Sequence, residues 1–254
     1  MHKQPSDSDI ILIHGFRGAP SGLKAIADIL ETAGYRVHTP SIPPFAGAKP
    51  LPVYSPIAYA NFINDYIANH NLSSPILIGH SMGSIIAAAT ASYHPKSIHQ
   101  KLVLLSPISQ KPSPAISAIS PLSAFFPRRI VDTMTTTFLF VKDRETLDRI
   151  GNHALLRDTM AATAVCSKNN PPKKKHTVAA AKFSSMYAIT DFDFNKDTLL
   201  IAGAHDRLIS QKATMNLAQK INAKVSFIPN SGHLHNYEKP AETAQLILDF
   251  LKDT

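Results

Sequence analysis

The pentapeptide Gly79-His80-Ser81-Met82-Gly83 is a G-x-S-x-G motif, and it lies between an apolar run and an Ile/Ala-rich segment. A serine on a sharp turn between a strand and a helix has its hydroxyl exposed above the end of the strand. The turn strains the backbone, and the flanking glycines carry no side chain that would clash there. The motif predicts a strand–turn–helix unit with Ser81 as a nucleophile. A plain turn without chemistry is the alternative.

Apolar runs and helical spacing alternate on both sides of this motif. The predicted strands are Ser8–His14, Tyr35–Thr39, Ser74–Gly79, Lys101–Leu105, Thr198–Ala202 and Lys224–Ile228. The predicted helices are Pro20–Gly34, Ile57–His70, Met82–Tyr93, Gln211–Ile221 and Pro240–Leu251. In the second helix, the residues expected on one apolar face are Ile57, Ala60, Ile63 and Ile67. Continuous apolar strands that alternate with helices predict an α/β fold, a mostly parallel sheet flanked by helices.

The alternation is interrupted after Pro107. Residues 108–182 are predicted to form a mostly helical insertion in a core made of residues 1–107 and 183–254. Within the insertion, Lys173-Lys174-Lys175 is expected in an exposed loop, or at the site entrance, where it would attract anions. Two aromatic clusters, Phe125-Phe126 and Phe138-Leu139-Phe140, are expected to pack inside the insertion or, alternatively, to line a substrate pocket.

Two later loops carry the partners that a serine nucleophile needs. Asp206 ends the turn Gly203-Ala204-His205-Asp206 after a predicted strand, and His233 lies in the loop after the last strand. A serine hydroxyl is a poor nucleophile until a base takes its proton, and His233 would do this. Asp206 would hold the correct imidazole tautomer and stabilise its charged form.

Each of these assignments has an alternative. Asp206 could serve only as a turn former or as a cap of the helix near Ser210. His235 competes with His233 for the role of base, and the two histidines could be a metal pair. No cysteine or carboxylate with ligand spacing accompanies them. The sequence therefore predicts no metal and no cofactor.

These residues together resemble the α/β-hydrolase family over nearly the whole chain. The resemblance rests on the Ser81 motif, on His14-Gly15-Phe16-Arg17-Gly18 after the first strand, on the two late loops, and on Tyr237-Glu238-Lys239-Pro240 before the last helix. The order Ser, Asp, His is the one this fold uses. The resemblance implies that the insertion is a lid.

An acyl-transfer reaction also needs donors for an oxyanion. The candidates are the backbone N–H groups of Phe16 and Met82. Further candidates for substrate contact are His14, Arg17 and His80. His14 is expected to shape the oxyanion loop, and Arg17 either meets a substrate carboxylate or is solvated.

The implied activity is hydrolysis of a small carboxylic ester or thioester through an acyl-serine intermediate. Serine in the motif argues against the dehalogenase and epoxide-hydrolase members of the family, which have aspartate there. Carbon–carbon bond hydrolysis, peptide cleavage and a non-catalytic ligand-binding protein stay open, because a fold does not fix a substrate.

Composition limits the partners and the compartment. The formal charge of +8 suits anionic partners, but no zinc-finger spacing or RNP-like segment accompanies it, so nucleic acid is the weaker alternative to a solvated basic surface. The single cysteine, Cys166, forms no internal disulfide. No apolar stretch precedes Ile10 and no apolar run is long enough to span a membrane. These features lead us to expect a cytoplasmic protein.

Overall fold

The computed structural model describes residues 8–110 and 172–253. The strands of these residues are β1 (Asp9–Ile13), β2 (Arg36–His38), β3 (Ile76–His80), β4 (Lys101–Leu105), β5 (Asp197–Gly203) and β6 (Lys224–Ile228). The α-helices are α1 (Lys24–Thr32), α2 (Pro56–Asn69), α3 (Met82–Tyr93), α4 (Lys174–Met186), α5 (Gln211–Lys220), α6 (His235–Glu238) and α7 (Pro240–Lys252). Short 3-10 turns at Pro20–Leu23 and Ile189–Asp191 complete the regular elements of the described residues.

The strands form one six-stranded parallel sheet in the order β2-β1-β3-β4-β5-β6. The strand order reverses between β1 and β3, and ligands of such sheets bind at this point, outside the carboxyl ends of the strands. Side chains alternate along each strand, so Ile11 and Ile13 pack on one face and Ile10 and Leu12 on the other. The predicted fold, a parallel sheet flanked by helices, is confirmed.

Helix α3 connects the motif to the core. Ten consecutive residues, Met82–Ala91, are buried, because the helix lies between the sheet and α2. A helix that is apolar on all sides suits such a position. The Ile/Ala-rich sequence after Ser81 therefore anchors the turn that carries this serine.

Helix α2 corrects one prediction. Ala60, Ile63 and Ile67 are buried as expected, but Ile57 is 42% exposed and Tyr59 takes its place in the core. Each residue turns a helix by about 100°, so Ile57 lies well away from the centre of the face shared by the other three.

The insertion predicted at residues 108–182 lies mostly outside the described residues, as do Phe125-Phe126 and Phe138–Phe140. Its end is described. Lys174 and Lys175 lie in the first turn of α4, so the predicted loop is wrong there, although both side chains are exposed. Lysine is a good helix former, and Phe183 on the same helix is buried in the core against Tyr59. Helix α4 thus continues across the predicted boundary at residue 182.

Candidate active site

Ser81 occupies the turn between β3 and α3. Its φ of 53° and ψ of −118° are unusual for a residue with a side chain, and a conformation of this kind costs about 1–3 kcal/mol. Its N–H donates to the carbonyl of Leu105 at 2.9 Å. A Cβ at Gly79 would overlap the carbonyl of Gly83, and a Cβ at Gly83 would overlap the carbonyl of Ile13. Both glycines are therefore required by close backbone contacts.

Three side chains predicted from separate parts of the sequence form one hydrogen-bonded line. The Ser81 hydroxyl lies 2.9 Å from Nε2 of His233, and Nδ1 of His233 lies 2.8 Å from Oδ2 of Asp206. The side chains of His233 and Asp206 are 3% and 0% exposed. Since a carboxylate accepts, Nδ1 carries the proton and Nε2 can accept the proton of Ser81.

Asp206 also acts as a turn former, the structural role that the sequence offered as an alternative to contact with His233. Its Oδ1 accepts the N–H groups of Leu208 at 2.8 Å and Ile209 at 2.9 Å, while Ser210 caps α5. Burial by itself would raise the pKa of Asp206. The hydrogen bond and charge of His233 and the two backbone donors outweigh that effect and hold the pKa below its usual value. The carboxyl group is therefore ionised at neutral pH, and its two oxygens have separate partners.

The loop after β1 lies directly beside the nucleophile. A Cβ at Gly15 would be 3.1 Å from the Cβ of Ser81. The N–H of Gly18 donates to the carbonyl of Gly15 at 3.0 Å, which closes a turn around Phe16 and Arg17. The residues just before Phe16 lie at the start of α3, where a Cβ at Gly83 would be 2.9 Å from the carbonyl oxygen of His14. Met82 is the first residue of α3, where backbone N–H groups have no partner within the helix.

His14 and Arg17 shape this loop. The Nδ1–H of His14 donates to the carbonyl of Gly15 at 2.9 Å, and its Nε2 accepts the N–H of Ile42 at 3.0 Å. Burial lowers the pKa of His14 to about 4, so the ring is neutral and both nitrogens bond to the backbone. Arg17 has a left-handed φ of 55°, and its guanidinium lies 5.6 Å from the centre of the Phe16 ring.

The two other histidines near His233 have different partners. Nε2–H of His80 donates to the main-chain carbonyl of His233 at 3.1 Å. His235 is fully buried, and its Nδ1 bonds to the Thr243 hydroxyl at 3.0 Å. The geometry therefore brings His233, and not His235, to Ser81. Among residues 8–110 and 172–253, no group of three or more His, Cys, Asp or Glu side chains is arranged to hold a metal ion.

Two polar residues that hold the His233 loop had no assigned role in the sequence. The Ser106 hydroxyl donates to the His233 carbonyl at 2.8 Å. The buried carboxylate of Glu238 accepts the N–H of Gly232 at 2.6 Å. The signal for Ser106 was its place directly after β4, at the edge of the sheet where sites form. Glu238 was visible only as part of the Tyr237–Pro240 segment.

The sequence and the fold both match known proteins. A family model described as "alpha/beta hydrolase fold" matches residues 10–240. The 2-hydroxymuconate semialdehyde hydrolase of Pseudomonas putida is 24% identical and covers 100% of this chain and 90% of that protein. A pyrethroid hydrolase of Sphingobium wenxiniae is 34% identical over 96 residues, which are 36% of this chain and only 33% of the relative. The solved esterase of Exiguobacterium antarcticum superimposes with a TM-score of 0.82 at 16% identity, over 97% of this chain and 92% of that one.

Within the described residues, no helix has both the length and the hydrophobicity needed to cross a membrane.

Proposed function

The chain belongs to the α/β-hydrolase family, and from this we propose that it is a serine hydrolase that cleaves small carboxylic esters or thioesters through an acyl-serine intermediate. The observation that carries the proposal is the line of two hydrogen bonds, 2.9 and 2.8 Å long, from Ser81 through His233 to Asp206. A hydroxyl, an imidazole and a buried carboxylate in this order form an activated nucleophile.

The reaction needs only groups that the chain supplies and water. The Ser81 oxygen attacks the acyl carbon while its proton moves to Nε2 of His233. The π electrons of the C=O bond move to the carbonyl oxygen, which becomes an oxyanion. The N–H groups of Phe16 and Met82 stabilise this oxyanion, a contribution of about 3–4 kcal/mol per donor. Collapse of the intermediate breaks the bond to the leaving alcohol or thiol, which takes the proton from His233. Water then attacks the acyl-serine by the same sequence of proton transfers and releases the acid.

Asp206 acts through His233 throughout. Its ionised carboxylate accepts Nδ1–H and so leaves Nε2 free for the serine proton. When His233 becomes charged, the adjacent negative charge in a buried site stabilises it. Against the effect of burial, the hydrogen bond and charge of His233 hold the pKa of this carboxyl below its usual value, and the N–H groups of Leu208 and Ile209 at its other oxygen lower it further.

A second candidate substrate comes from the full-length relative of Pseudomonas putida, which is named 2-hydroxymuconate semialdehyde hydrolase. Its match over the whole chain supports including that compound beside the esters. Hydrolysis of a carbon–carbon bond, an alternative that the sequence leaves open, would use the same serine and base.

Fluorophosphonate labelling tests the proposal without knowledge of the natural substrate. We expect the wild-type protein to be labelled and Ser81→Ala to be unlabelled, with p-nitrophenyl ester hydrolysis lowered about 10⁴-fold or more. Ser92→Ala, near the C-terminal end of helix α3, is the matched control, and we expect it to be labelled and to hydrolyse the ester like the wild type. A folded Ser81→Ala protein with normal turnover would remove the proposal. The rates of hydrolysis of esters with increasing acyl chain length then show how long a chain the acyl pocket accepts.

A further inference from the structure

The main-chain carbonyl of His233 accepts two hydrogen bonds from residues far away in the sequence. Nε2–H of His80 donates at 3.1 Å across 153 residues, and the Ser106 hydroxyl donates at 2.8 Å across 127 residues. All three residues are buried, with exposed fractions of 5%, 0% and 2% for His80, Ser106 and His233. A carbonyl oxygen has two lone pairs, so this one is fully used.

The two donors belong to the centre of the sheet, whereas His233 follows its edge. His80 ends β3, and Ser106 directly follows β4, where Leu105 pairs with His80. Strand β6, which precedes the His233 loop, is an edge strand. The two hydrogen bonds therefore tie a loop at the edge of the sheet to the strand ends that carry Ser81.

Ser106 adopts an unfavourable backbone conformation that aims its hydroxyl at this carbonyl. Its φ of 44° lies in the left-handed region, and its N–H is fixed by the carbonyl of Ile201 at 2.7 Å. Glycine adopts this conformation at a lower cost but has no hydroxyl to donate. The strain and the hydrogen bond thus occur together at one residue.

His80 is a donor without charge. Its acceptor is a carbonyl, so Nε2 carries the proton, and burial lowers the pKa of His80 to about 3. The ring centres of His80 and His233 are 5.5 Å apart. A lysine or arginine at this distance would oppose the positive charge that His233 gains in the reaction, while a neutral imidazole does not.

We propose that His80 and Ser106 are positioning residues that clamp the His233 carbonyl and so hold its imidazole within hydrogen-bond distance of Ser81. The proposal rests on the function proposed above for Ser81, His233 and Asp206. The clamp acts on the loop backbone and makes no contact with the reacting atoms. Its loss lets the imidazole move, and a displacement of about 1 Å from the productive geometry lowers turnover by about 100-fold.

Two substitutions of His80 separate positioning from packing. The amide nitrogen of glutamine reaches the place of Nε2, whereas that of asparagine reaches only the place of Nδ1. We expect His80→Asn to lower kcat for p-nitrophenyl butyrate by about 10- to 100-fold with KM within about twofold, and His80→Gln to restore kcat to within about threefold of wild type. The rate of fluorophosphonate labelling falls by the same factor as kcat. Equal kcat values for the two variants would overturn the proposal.

His235→Gln is the control for loss of a buried imidazole. The rings of His235 and His80 are 6.2 Å apart and both are buried, but His235 bonds to Thr243 and not to His233. The thermal unfolding midpoint is measured for each variant. The proposal requires that kcat of His235→Gln stays within about threefold of wild type, even if this variant lowers the unfolding midpoint as much as His80→Asn does. A kcat that follows the midpoint in all variants would overturn the clamp.

Ser106→Ala decides the matter if His80→Asn does not fold. It removes one donor and keeps the backbone restraint, and we expect kcat to fall about tenfold, the value of one ordinary hydrogen bond. An unchanged kcat would overturn the clamp while the serine mechanism stands. A wild-type protein that is not labelled at Ser81 would overturn both proposals, so the two failures are distinguishable.

Discussion

Three buried histidines outside the proposed Ser81–His233–Asp206 line predict that acid destabilises this protein well above the range in which carboxylates titrate. Burial lowers the pKa of His14 to about 4 and, together with the neighbouring charge of His233, the pKa values of His80 and His235 to about 3. All three rings are neutral in the folded protein at pH 7. In the unfolded chain each ring takes up a proton near pH 6.5.

The direction and size of the effect follow from these pKa values. A depressed pKa in the folded state gives stability that is complete above pH 6.5 and is lost as the pH falls toward 3–4. In this range each histidine lowers the free energy of unfolding by about 1.4 kcal/mol for each unit by which the pH falls. Between pH 7.5 and 5.5 the loss is about 1.3 kcal/mol per histidine, hence about 4 kcal/mol for the three. This is a large share of a total stability of about 5–15 kcal/mol.

Urea unfolding at pH 7.5, 6.5 and 5.5 measures the loss. Far-ultraviolet circular dichroism is the suitable signal, because the chain has no tryptophan. His235→Gln removes one of the three groups and should lower the pH dependence by about one third. Ser92→Ala, which removes no titratable group, should leave it unchanged. The lowered pKa values of Asp9 and Asp206 act only below about pH 4 and do not enter this range.

A loss below about 1 kcal/mol between pH 7.5 and 5.5 would refute the reasoning, since even one such histidine accounts for more. So would a pH dependence that His235→Gln does not change. In that case the histidines would be protonated in the folded protein, with water or a carboxylate at their rings.

Two further predictions concern the proposed base and the residue that orients it. Asp206→Asn should lower kcat for p-nitrophenyl esters about 10⁴-fold, because an amide can donate to Nδ1 and favour the wrong tautomer of His233; a loss below about tenfold would contradict the role of Asp206. His233→Ala should abolish fluorophosphonate labelling, whereas His235→Ala should retain it, and the reverse result in the same assay would reassign the base.

Most regular elements follow from local patterns in the sequence. Strands β4 and β6 and helix α3 begin and end at the predicted residues. The helix predicted from Pro20 starts with a 3-10 turn before α1 begins at Lys24, and the other boundaries differ by one or two residues, as is usual where helix and strand ends fray. Continuous apolar runs such as Ile10–Ile13 fix strands buried on both faces. Periodicity alone misplaces one residue of α2, because Ile57 has helical spacing from its neighbours but its side chain is exposed to solvent.

The candidate site divides in the same way between local and long-range information. Each of the three proposed site residues, Ser81, Asp206 and His233, lies in a short motif next to a predicted strand or helix. The sequence therefore predicts that their side chains lie close together. The hydrogen-bond partners of His80 and Ser106 could not be predicted in this way, because these hydrogen bonds join residues more than 120 positions apart. Glu238 belongs to the same class, since its contact with Gly232 depends on how α6 folds back on the loop.

Backbone contacts bring these distant segments close enough for hydrogen bonds of 2.6–3.1 Å. A Cβ at Gly83 would overlap the Ile13 carbonyl, and one at Gly203 would overlap the Gly232 carbonyl, so neither pair of loops could approach with larger residues. Two serines beside these contacts, Ser81 and Ser106, have left-handed φ values. Strain of about 1–3 kcal/mol at each persists only where the surroundings determine the conformation. The buried strands and helix α3 provide those surroundings, and this is why the precise geometry lies at the carboxyl ends of the central strands.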